Sequence, residues 1–233
     1  MKAMILAAGR GERMRPLTDH TPKALLQIAD KPLIVLIIAA LVRAGIRDVV
    51  INLAHLGERI AATLGDGAAL GVRISYSRET VALETAGGIA FALPLLGPEP
   101  FIAVNADVYS DYDFSVLVAA AGRLMPAGPL AHLVLVDNPP QHPQGDFGLA
   151  EGVVLADAAT RYTFSGIGAY HPALFVAIPR GSRARLADIL IAAMQRRQVT
   201  GDLYAGHWHD VGTPARLADL DREARAVQDS DES

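Results

Sequence analysis

Apolar and polar positions along the chain follow two spacings in turn, and these predict strands and helices in alternation. Short apolar and β-branched runs predict buried strands over residues 2–6, 48–53, 73–77, 101–105 and 132–136. Helical spacing between them predicts helices over residues 32–44, 56–64, 88–96 and 114–124. Strands that alternate with helices form a mainly parallel sheet covered on both faces. The pattern therefore predicts an α/β protein with three α/β/α layers.

The alternating pattern of strands and helices ends at Asn138, and Pro, Gln and Gly dominate the sequence from there to residue 148. Strand-like pieces at 147–150 and 162–170 predict a small antiparallel addition to the sheet. An amphipathic helix is predicted over 185–197, then a strand over 206–211 and a closing helix from Pro214. We expect one domain over residues 1–228, with the acidic residues 229–233 as a disordered tail.

Composition excludes several classes of function. The chain has 233 residues, no cysteine and a net charge of −4, so disulfide frameworks, thiolate metal sites and cysteine nucleophiles are ruled out. Its 21 Lys and Arg are scattered among 25 Asp and Glu, which argues against a nucleic-acid partner. The longest apolar run, residues 32–42, is far shorter than the roughly 20 residues that span a bilayer. Residues 3–8 are too short an apolar stretch for a signal peptide, so we expect a cytoplasmic protein without a membrane partner.

The loop after the first strand, LAAGRGERMRPLT, carries the strongest chemical signal. Gly9 and Gly11 allow close approach of the backbone to a ligand, and N–H groups turned inward would form an anion nest. Arg10, Arg13 and Arg15 add positive charge, which suits a polyphosphate. The loop matches neither GxxxxGK[ST] nor GxGxxG. Taken alone, it is equally consistent with a tight turn and solvated arginines.

Thr21-Pro22-Lys23 follows this loop, and the whole order LAAGxGxRMxPLT…PK resembles the sugar-1-phosphate nucleotidyltransferases. That resemblance implies a Rossmann-like nucleotidyltransferase fold. It also implies catalytic roles for Arg13 and Lys23, whose charges would meet phosphate oxygens. The nucleotide-binding positions implied in this part of the chain are Leu6, Ala8, Gly9, Gly11, Glu12, Arg13 and Lys23. Ala24 departs from the proline that relatives often carry there.

Two further stretches follow in the family's order. In Leu-Glu-Thr-Ala-Gly-Gly, the resemblance implies that Glu84 and Gly88 serve the nucleotide base, while Thr85 either caps a helix or contacts the base. Asp107 follows a buried strand, where ligands of open α/β sheets bind, and is expected to hold Mg²⁺ and to be catalytic. The alternative is that Asp107 caps a turn. Ala106 replaces a glycine common in the family, which leaves any need for a positive φ there in question.

A third stretch is His-Trp-His-Asp-Val-Gly-Thr at residues 207–213. On a strand, Trp208 and Asp210 share one face, while His207 and His209 share the other. The histidines could ligate zinc, but no third clustered ligand accompanies them. Asp210 matches the family's second metal-binding carboxylate and would complete the Mg²⁺ site with Asp107. Trp208 would either line the sugar site or pack in the core.

Residues 136–149 and 164–175 resemble the branch of that family that joins UTP to N-acetylmuramic acid 1-phosphate in cell-wall recycling. In that branch Asn105, Asp146 and Gly148 would contact the sugar phosphate. The implied reaction is attack of the sugar phosphate on the α-phosphorus of UTP, with release of pyrophosphate. Other nucleoside triphosphates and hexose 1-phosphates stay open as substrates, and so does a non-catalytic nucleotide-sensing module. We expect these small molecules as the partners of a monomer or weak homo-oligomer.

Overall fold

A computed structural model describes the backbone of residues 1–231 and the side chains of residues 1–226. The strands are β1 Lys2–Leu6, β2 Gln27–Ile28, β3 Lys31–Pro32, β4 Asp48–Leu53, β5 Arg73–Arg78, β6 Phe101–Asn105, β7 Val108–Ser110, β8 Ala131–Val136, β9 Gly148–Ala150, β10 Val153–Leu155, β11 Thr163–Tyr170, β12 Val199–Tyr204 and β13 Trp208–Asp210. The helices are α1 Leu33–Arg43, α2 Gly57–Leu64, α3 Glu84–Leu96, α4 Phe114–Ala121, α5 Leu186–Met194 and α6 Pro214–Asp231.

The central sheet has nine strands in the order β5-β4-β1-β6-β11-β8-β12-β10-β9. The strands from β5 to β6 pair in parallel, and β8 and β12 do the same. In the described part of the chain, β10 and β11 run opposite to the other seven strands of this sheet. The expected mainly parallel α/β/α fold is confirmed.

The place of the antiparallel strands corrects one prediction. We expected residues 162–170 in a small addition, but β11 lies in the middle of the sheet, between β6 and β8. Seven of its eight residues are buried, as a strand covered on both faces requires. The antiparallel addition lies at one edge of the sheet and consists of β9, as predicted for residues 147–150, and β10. The pattern also missed β12, in which polar Thr200 and Asp202 alternate with Val199 and Gly201.

Two apolar layers flank the sheet. Helix α1 buries Ile34, Ile38 and Leu41 on one face, as the apolar run of residues 32–42 predicted. Helices α3 and α5 cover the other face, where Phe101 and Tyr170 lie at the centre of an aromatic cluster. No helix of the described residues is long and apolar enough to cross a membrane.

A third, smaller cluster ties the closing helix to the N-terminal loop. It contains Met14 from the loop, Leu33 from α1, Leu220 from α6 and Val211, which follows β13. Helix α6 continues to Asp231, so residues 229–231 of the predicted tail are helical, while residues 232–233 lie outside the described residues. Helical periodicity from Pro214 did not reveal this extension, because its last turn is entirely polar.

His132 gives the fold a pH dependence. This residue of β8 is 4% exposed, with its ring Nδ1 3.0 Å from the Thr200 hydroxyl and its Nε2 3.1 Å from an Asp202 oxygen. Burial lowers the pKa of His132 below its usual 6.5, and the neighbouring Asp202 carboxylate offsets this only in part. Below about pH 6.5, His132 therefore binds a proton in the unfolded chain but stays neutral in the folded chain until the pH reaches its lower folded pKa.

The contribution of neutral His132 to stability is thus present above pH 6.5 and is lost as the pH falls towards the folded pKa. We expect the gap in unfolding free energy between wild type and His132→Gln to narrow from pH 7.5 to pH 5.5, measured by urea titration. His20→Gln, at an exposed position, serves as the control. A gap that widens in acid would mean that His132 is protonated in the folded protein.

Candidate active site

A cleft of about 540 Å³ opens at the carboxyl ends of the parallel strands. Leu6 at the end of β1 lies in register with Asn52 of β4 on one side and Asn105 of β6 on the other. All three residues line the cleft. A second cleft of about 260 Å³ adjoins it and shares Glu84, Thr85 and Asn105 with it. A ligand can therefore extend from one cleft into the other.

The loop after β1 is held in one conformation by its own contacts. Gly11 has a φ of +63°, and its carbonyl accepts hydrogen bonds from the Thr18 hydroxyl at 2.8 Å and the Met14 N–H at 2.9 Å. A Cβ at Gly11 would lie 3.0 Å from the Thr18 methyl group, so both backbone angle and space favour glycine. At Gly9 a Cβ would meet nothing within 4 Å, which leaves open space for a ligand.

The loop brings unneutralised positive charge to the cleft. Arg10 and Arg13 line it and are exposed, and neither forms an ion pair with any described residue. Arg15 differs, because it pairs with Asp19 at 3.2 Å and does not line the cleft. Of the three arginines expected to favour an anion, the structure therefore places two at the cleft.

Lys23 and Asp107 form an ion pair at the wall of the cleft. The Lys23 ammonium lies 2.5 Å from Asp107 Oδ2, with side-chain exposures of 13% and 31%. Pro22 precedes Lys23 and leads into a short 3₁₀ turn, while Asp107 follows the buried strand β6. A cation and a carboxylate predicted from motifs 84 residues apart are thus in direct contact.

Asp210 lies on the neighbouring ribbon formed by β7 and β13. The Val211 N–H donates to the Asp107 carbonyl at 2.9 Å, and Asp210 pairs with Val108 in the ribbon. Arg216 donates to Asp210 Oδ2 at 2.7 Å, which holds this carboxylate in place. The ribbon therefore sets Asp210 one register position from Asp107. Asp210 itself is not among the residues that line the cleft, whereas Gly212 is.

Two half-exposed carboxylates suit a hard divalent cation. Mg²⁺ usually takes one or two carboxylates together with phosphate oxygens and water. The ion pairs use Oδ2 of each residue, and no described residue bonds to Asp107 Oδ1 or Asp210 Oδ1. The described residues contain no group of three or more His, Cys, Asp or Glu side chains that could hold a metal. The His-x-His alternative therefore lacks a third ligand, and His209 instead pairs with Glu223 at 3.5 Å.

The sequence motifs did not reveal a buried polar pair beneath the cleft. Asn52 Oδ1 accepts from the Ala7 N–H at 2.8 Å, and Asn52 Nδ2 donates to Glu79 Oε1 at 2.7 Å. Glu79 Oε2 accepts from the Leu83 N–H at 3.1 Å. These bonds tie the loop after β1 to the segment before α3. Their only signal in the sequence is that Asn52 is the penultimate residue of one parallel strand and Glu79 follows the next.

Gly88 lies behind this pair and does not line either cleft. A Cβ at Gly88 would lie 2.7 Å from Glu79 Oε1 and 3.0 Å from Asn52 Nδ2. Its small size lets α3 approach the pair, so its expected contact with the base would have to pass through these side chains.

The start of α3 corrects the capping prediction for Thr85. The helix begins at Glu84, four residues earlier than predicted, and no side chain caps it. Two of the four free N–H groups in its first turn, those of Ala86 and Gly87, donate instead to the Ala184 carbonyl, each at 3.1 Å. Thr85 is left free to line both clefts, next to Glu84, whose carboxylate pairs with Arg183 at 3.3 Å.

Gly87 allows the start of α3 to pack closely against residues 182–184, and its substitution should lower the stability of the fold. A Cβ there would lie 2.4 Å from the Ser182 carbonyl oxygen and 3.0 Å from the Ala184 nitrogen. We expect Gly87→Ala to lower the unfolding free energy by about 1–3 kcal/mol, because backbone must shift to admit the methyl group. Urea unfolding measures this. Gly122→Ala is the control, since its Cβ meets nothing closer than 3.5 Å. Equal stability of both variants would show that the contact between Gly87 and residues 182–184 can accommodate a methyl group.

The second cleft is lined by Asp146 together with Phe147 and Phe164. The Phe164 N–H donates to Asp146 Oδ2 at 2.8 Å, and His142 Nε2 lies 3.1 Å from Oδ1. Asn105 reaches this cleft because Gly166 leaves room for it, as a Cβ at Gly166 would lie 2.5 Å from Asn105 Nδ2. Asn105 and Asp146 thus line the same cleft.

Packing explains the residue type at three other positions singled out in the sequence, Gly148, Trp208 and Ala106. Gly148 lines neither cleft, and a Cβ there would lie 2.3 Å from the Ala158 Cβ, so this glycine serves packing at the sheet edge. Trp208 donates from Nε1 to the Ser165 carbonyl at 2.9 Å and packs against the core, which favours the core alternative. Ala106 is buried and is not among the described residues with positive φ, so its departure from glycine causes no strain.

Comparison with known proteins gives a family and several relatives. Residues 2–226 match the family described as Nucleotidyl transferase. The chain is 51% identical to the N-acetylmuramate alpha-1-phosphate uridylyltransferase of Neisseria meningitidis serogroup B, over 97% of this chain and 98% of the relative. It is 30% identical to a mannose-1-phosphate guanylyltransferase catalytic subunit beta of Drosophila pseudoobscura pseudoobscura, over 91% of this chain and 59% of that one.

A crystal structure from Bacillus anthracis, described as a glucose-1-phosphate thymidylyltransferase in complex with a sucrose, shares the fold. It has a TM-score of 0.86 and 22% identity, covering 97% of this chain and 95% of the other. HddC from Yersinia pseudotuberculosis, complexed with GMP-PN, has a TM-score of 0.77 and 16% identity, with coverage of 95% and 98%.

Proposed function

The chain belongs to the nucleotidyl transferase family, and on that premise we propose that it joins UTP to N-acetylmuramate α-1-phosphate and releases pyrophosphate. The product is UDP-N-acetylmuramate. The observation that carries the reaction class is the Lys23–Asp107 pair in a cleft lined by the unpaired Arg10 and Arg13. The choice of both substrates rests on the Neisseria relative, which matches the chain over nearly its whole length.

In this proposal the nucleotide lies in the larger cleft. The loop that contains Gly9 and Gly11 presents backbone N–H groups to the triphosphate, and Arg13 offsets its charge. Leu6, Ala8 and Glu12 complete this wall, while Glu84 contacts the base from the opposite side. Gly88 supports that side from behind through the Asn52–Glu79 pair.

The acceptor lies across the two clefts, with its sugar beside Asn105 and Asp146. A phosphate monoester has a second pKa of about 6, so it is already largely ionised at neutral pH and no general base is needed. Its oxygen forms the new bond to the α-phosphorus, the bond from that phosphorus to the bridging oxygen breaks, and pyrophosphate leaves with the electron pair. Lys23 is positioned to stabilise the charge that develops on the α-phosphate oxygens.

Asp107 and Asp210 would hold Mg²⁺, which when bound supplies charge neutralisation across the reacting phosphates. Arg216 orients Asp210 for this role through its 2.7 Å contact. We further propose that the protein acts in the cytoplasm, in the recycling of cell-wall sugars. We also propose that it acts as a monomer or a weak homo-oligomer.

The test is pyrophosphate release with Mg²⁺, using UTP, GTP, dTTP and CTP against four acceptors. These are the 1-phosphates of N-acetylmuramic acid, N-acetylglucosamine, glucose and mannose. Release confined to UTP and the muramic acceptor supports the proposal. Turnover with another pair contradicts the substrates and keeps the reaction, whereas nucleotide binding without turnover supports a sensing module instead.

A further inference from the structure

Arg185 is a cation in the second cleft to which the proposed reaction has given no role. It is the exposed residue that precedes α5, and it lines this cleft together with Asp146, Phe147 and Phe164. No described residue accepts a hydrogen bond from its guanidinium group or forms an ion pair with it. Its five N–H donors are therefore available to a ligand.

The neighbouring arginines already have partners within the chain, so Arg185 is not simply one of several free surface arginines. Arg183 pairs with Glu84 at 3.3 Å. Arg180 lies over the ring of Phe91, with its Cζ 4.8 Å from the ring centroid. Within residues 180–185, Arg185 is thus the arginine that faces a cleft without a partner.

The backbone at Arg185 is fixed relative to the nucleotide cleft. Its neighbour Ala184 accepts from the N–H groups of Ala86 and Gly87, and the Ala184 N–H donates to the Leu83 carbonyl at 3.1 Å. Leu83 lines the larger cleft, so the two clefts share one hydrogen-bonded frame. Leu186, directly after Arg185, is buried in the core. The backbone from which the Arg185 side chain extends is therefore anchored between the two clefts.

The substrate of the proposed function carries an anion that other hexose 1-phosphates lack. N-acetylmuramic acid bears a lactyl ether on C3 of the sugar, and its carboxyl group is ionised at neutral pH because such groups have a pKa near 4. A sugar that occupies this cleft brings that carboxylate close to the carboxylate of Asp146. A cation in the same cleft offsets this repulsion, and a guanidinium group can bind a carboxylate through two parallel hydrogen bonds.

We propose that Arg185 is the residue that selects the lactyl carboxylate, an inference that rests on the proposed function. Phe147, Phe164, Leu186 and Leu190 line the same cleft with apolar surface. Arg185 is exposed, and this surface reduces the screening of its charge by water once a sugar occupies the cleft. Asp146 then accepts a hydrogen bond from a sugar hydroxyl. Arg185 binds the lactyl carboxylate, which distinguishes this acceptor from N-acetylglucosamine 1-phosphate.

The test compares two acceptors that differ only in this charge. They are N-acetylmuramic acid 1-phosphate and its lactyl carboxamide, assayed with UTP on wild type, Arg185→Gln and Arg185→Lys. We expect wild type to favour the carboxylate by about 10- to 100-fold in kcat/KM, in the range of a charge-assisted hydrogen bond. Arg185→Gln should reduce this preference to less than about 3-fold, and Arg185→Lys should retain part of it because a lysine keeps the charge without the bidentate geometry.

Arg196→Gln is the matched control, since it removes the same charge beyond the other end of α5, outside both clefts. It should keep the wild-type preference. An equal loss by Arg185→Gln on both acceptors would overturn the inference alone, because Arg185 would then bind a group common to both, such as the phosphate. Absence of wild-type turnover with UTP and the muramic acceptor would overturn the proposed function as well.

Discussion

Replacing Lys23 with alanine is expected to lower kcat/KM for pyrophosphate release by at least about 100-fold, while the protein stays folded. Lys23 is 13% exposed and lies against Asp107, so its charge acts in a partly desolvated site where water screens it less. Two anionic substrates must meet there, and a positioned cation at a phosphoryl-transfer centre can contribute about 10³-fold or more in rate. The measurement is steady-state kinetics with a coupled pyrophosphate assay.

Lys31→Ala is the matched control, because Lys31 is exposed on β3 and lines neither cleft. Its kinetics should equal those of wild type. Circular dichroism and thermal unfolding show whether Lys23→Ala keeps its fold. A folded Lys23→Ala with turnover within about threefold of wild type would remove Lys23 from the machinery.

Replacing Asp107 with alanine should cost at least about two decades in kcat/KM and should change the response to Mg²⁺. Asp107 is the carboxylate that contacts Lys23, and it lies next to Asp210 through the β7–β13 ribbon. Without it one of two proposed ligands is missing, so the Mg²⁺ concentration for half-maximal rate should rise. Asp107→Asn keeps the shape and tests the charge alone.

The control for Asp107 is Asp111→Asn, a change to an exposed carboxylate four residues along that lines neither cleft. It should leave the Mg²⁺ response unaltered. If Asp107→Asn matched wild type in both rate and Mg²⁺ response, Asp107 would be the turn cap that its position also allowed, and the metal would be held elsewhere.

Much of the fold could be predicted because several of its strands have strong local patterns. The runs of residues 48–53 and 101–105 are apolar and β-branched, and both are strands with those bounds. The place of β11 could not be predicted, since a strand's neighbours depend on contacts far away in the sequence. Its residues Ser165, Gly166 and Gly168 have little strand character, yet they suit a crowded position where Asn105 and Tyr170 need space.

The candidate site divides in the same way. Gly11, Lys23 and Asp107 stand in compact motifs, so sequence alone identified them, and the structure brings them to one cleft. Asn52 and Glu79 belong to no motif and become visible only when β4 and β5 pair next to β1. The resemblance alone suggested Gly148, and residue type suggested Thr85 as a helix cap. The packing of Gly148 against Ala158, and the bonds from Ala86 and Gly87 to Ala184, are apparent only in the structure.

The most direct measurement follows the oxygen atoms of the acceptor. N-acetylmuramic acid 1-phosphate labelled with ¹⁸O in its phosphate is incubated with UTP and the wild-type protein, and both products are analysed by mass spectrometry. If the acceptor phosphate attacks the α-phosphorus, all of the label appears in UDP-N-acetylmuramate and the pyrophosphate is unlabelled. Label in the pyrophosphate, or no nucleotide sugar at all, would contradict the account.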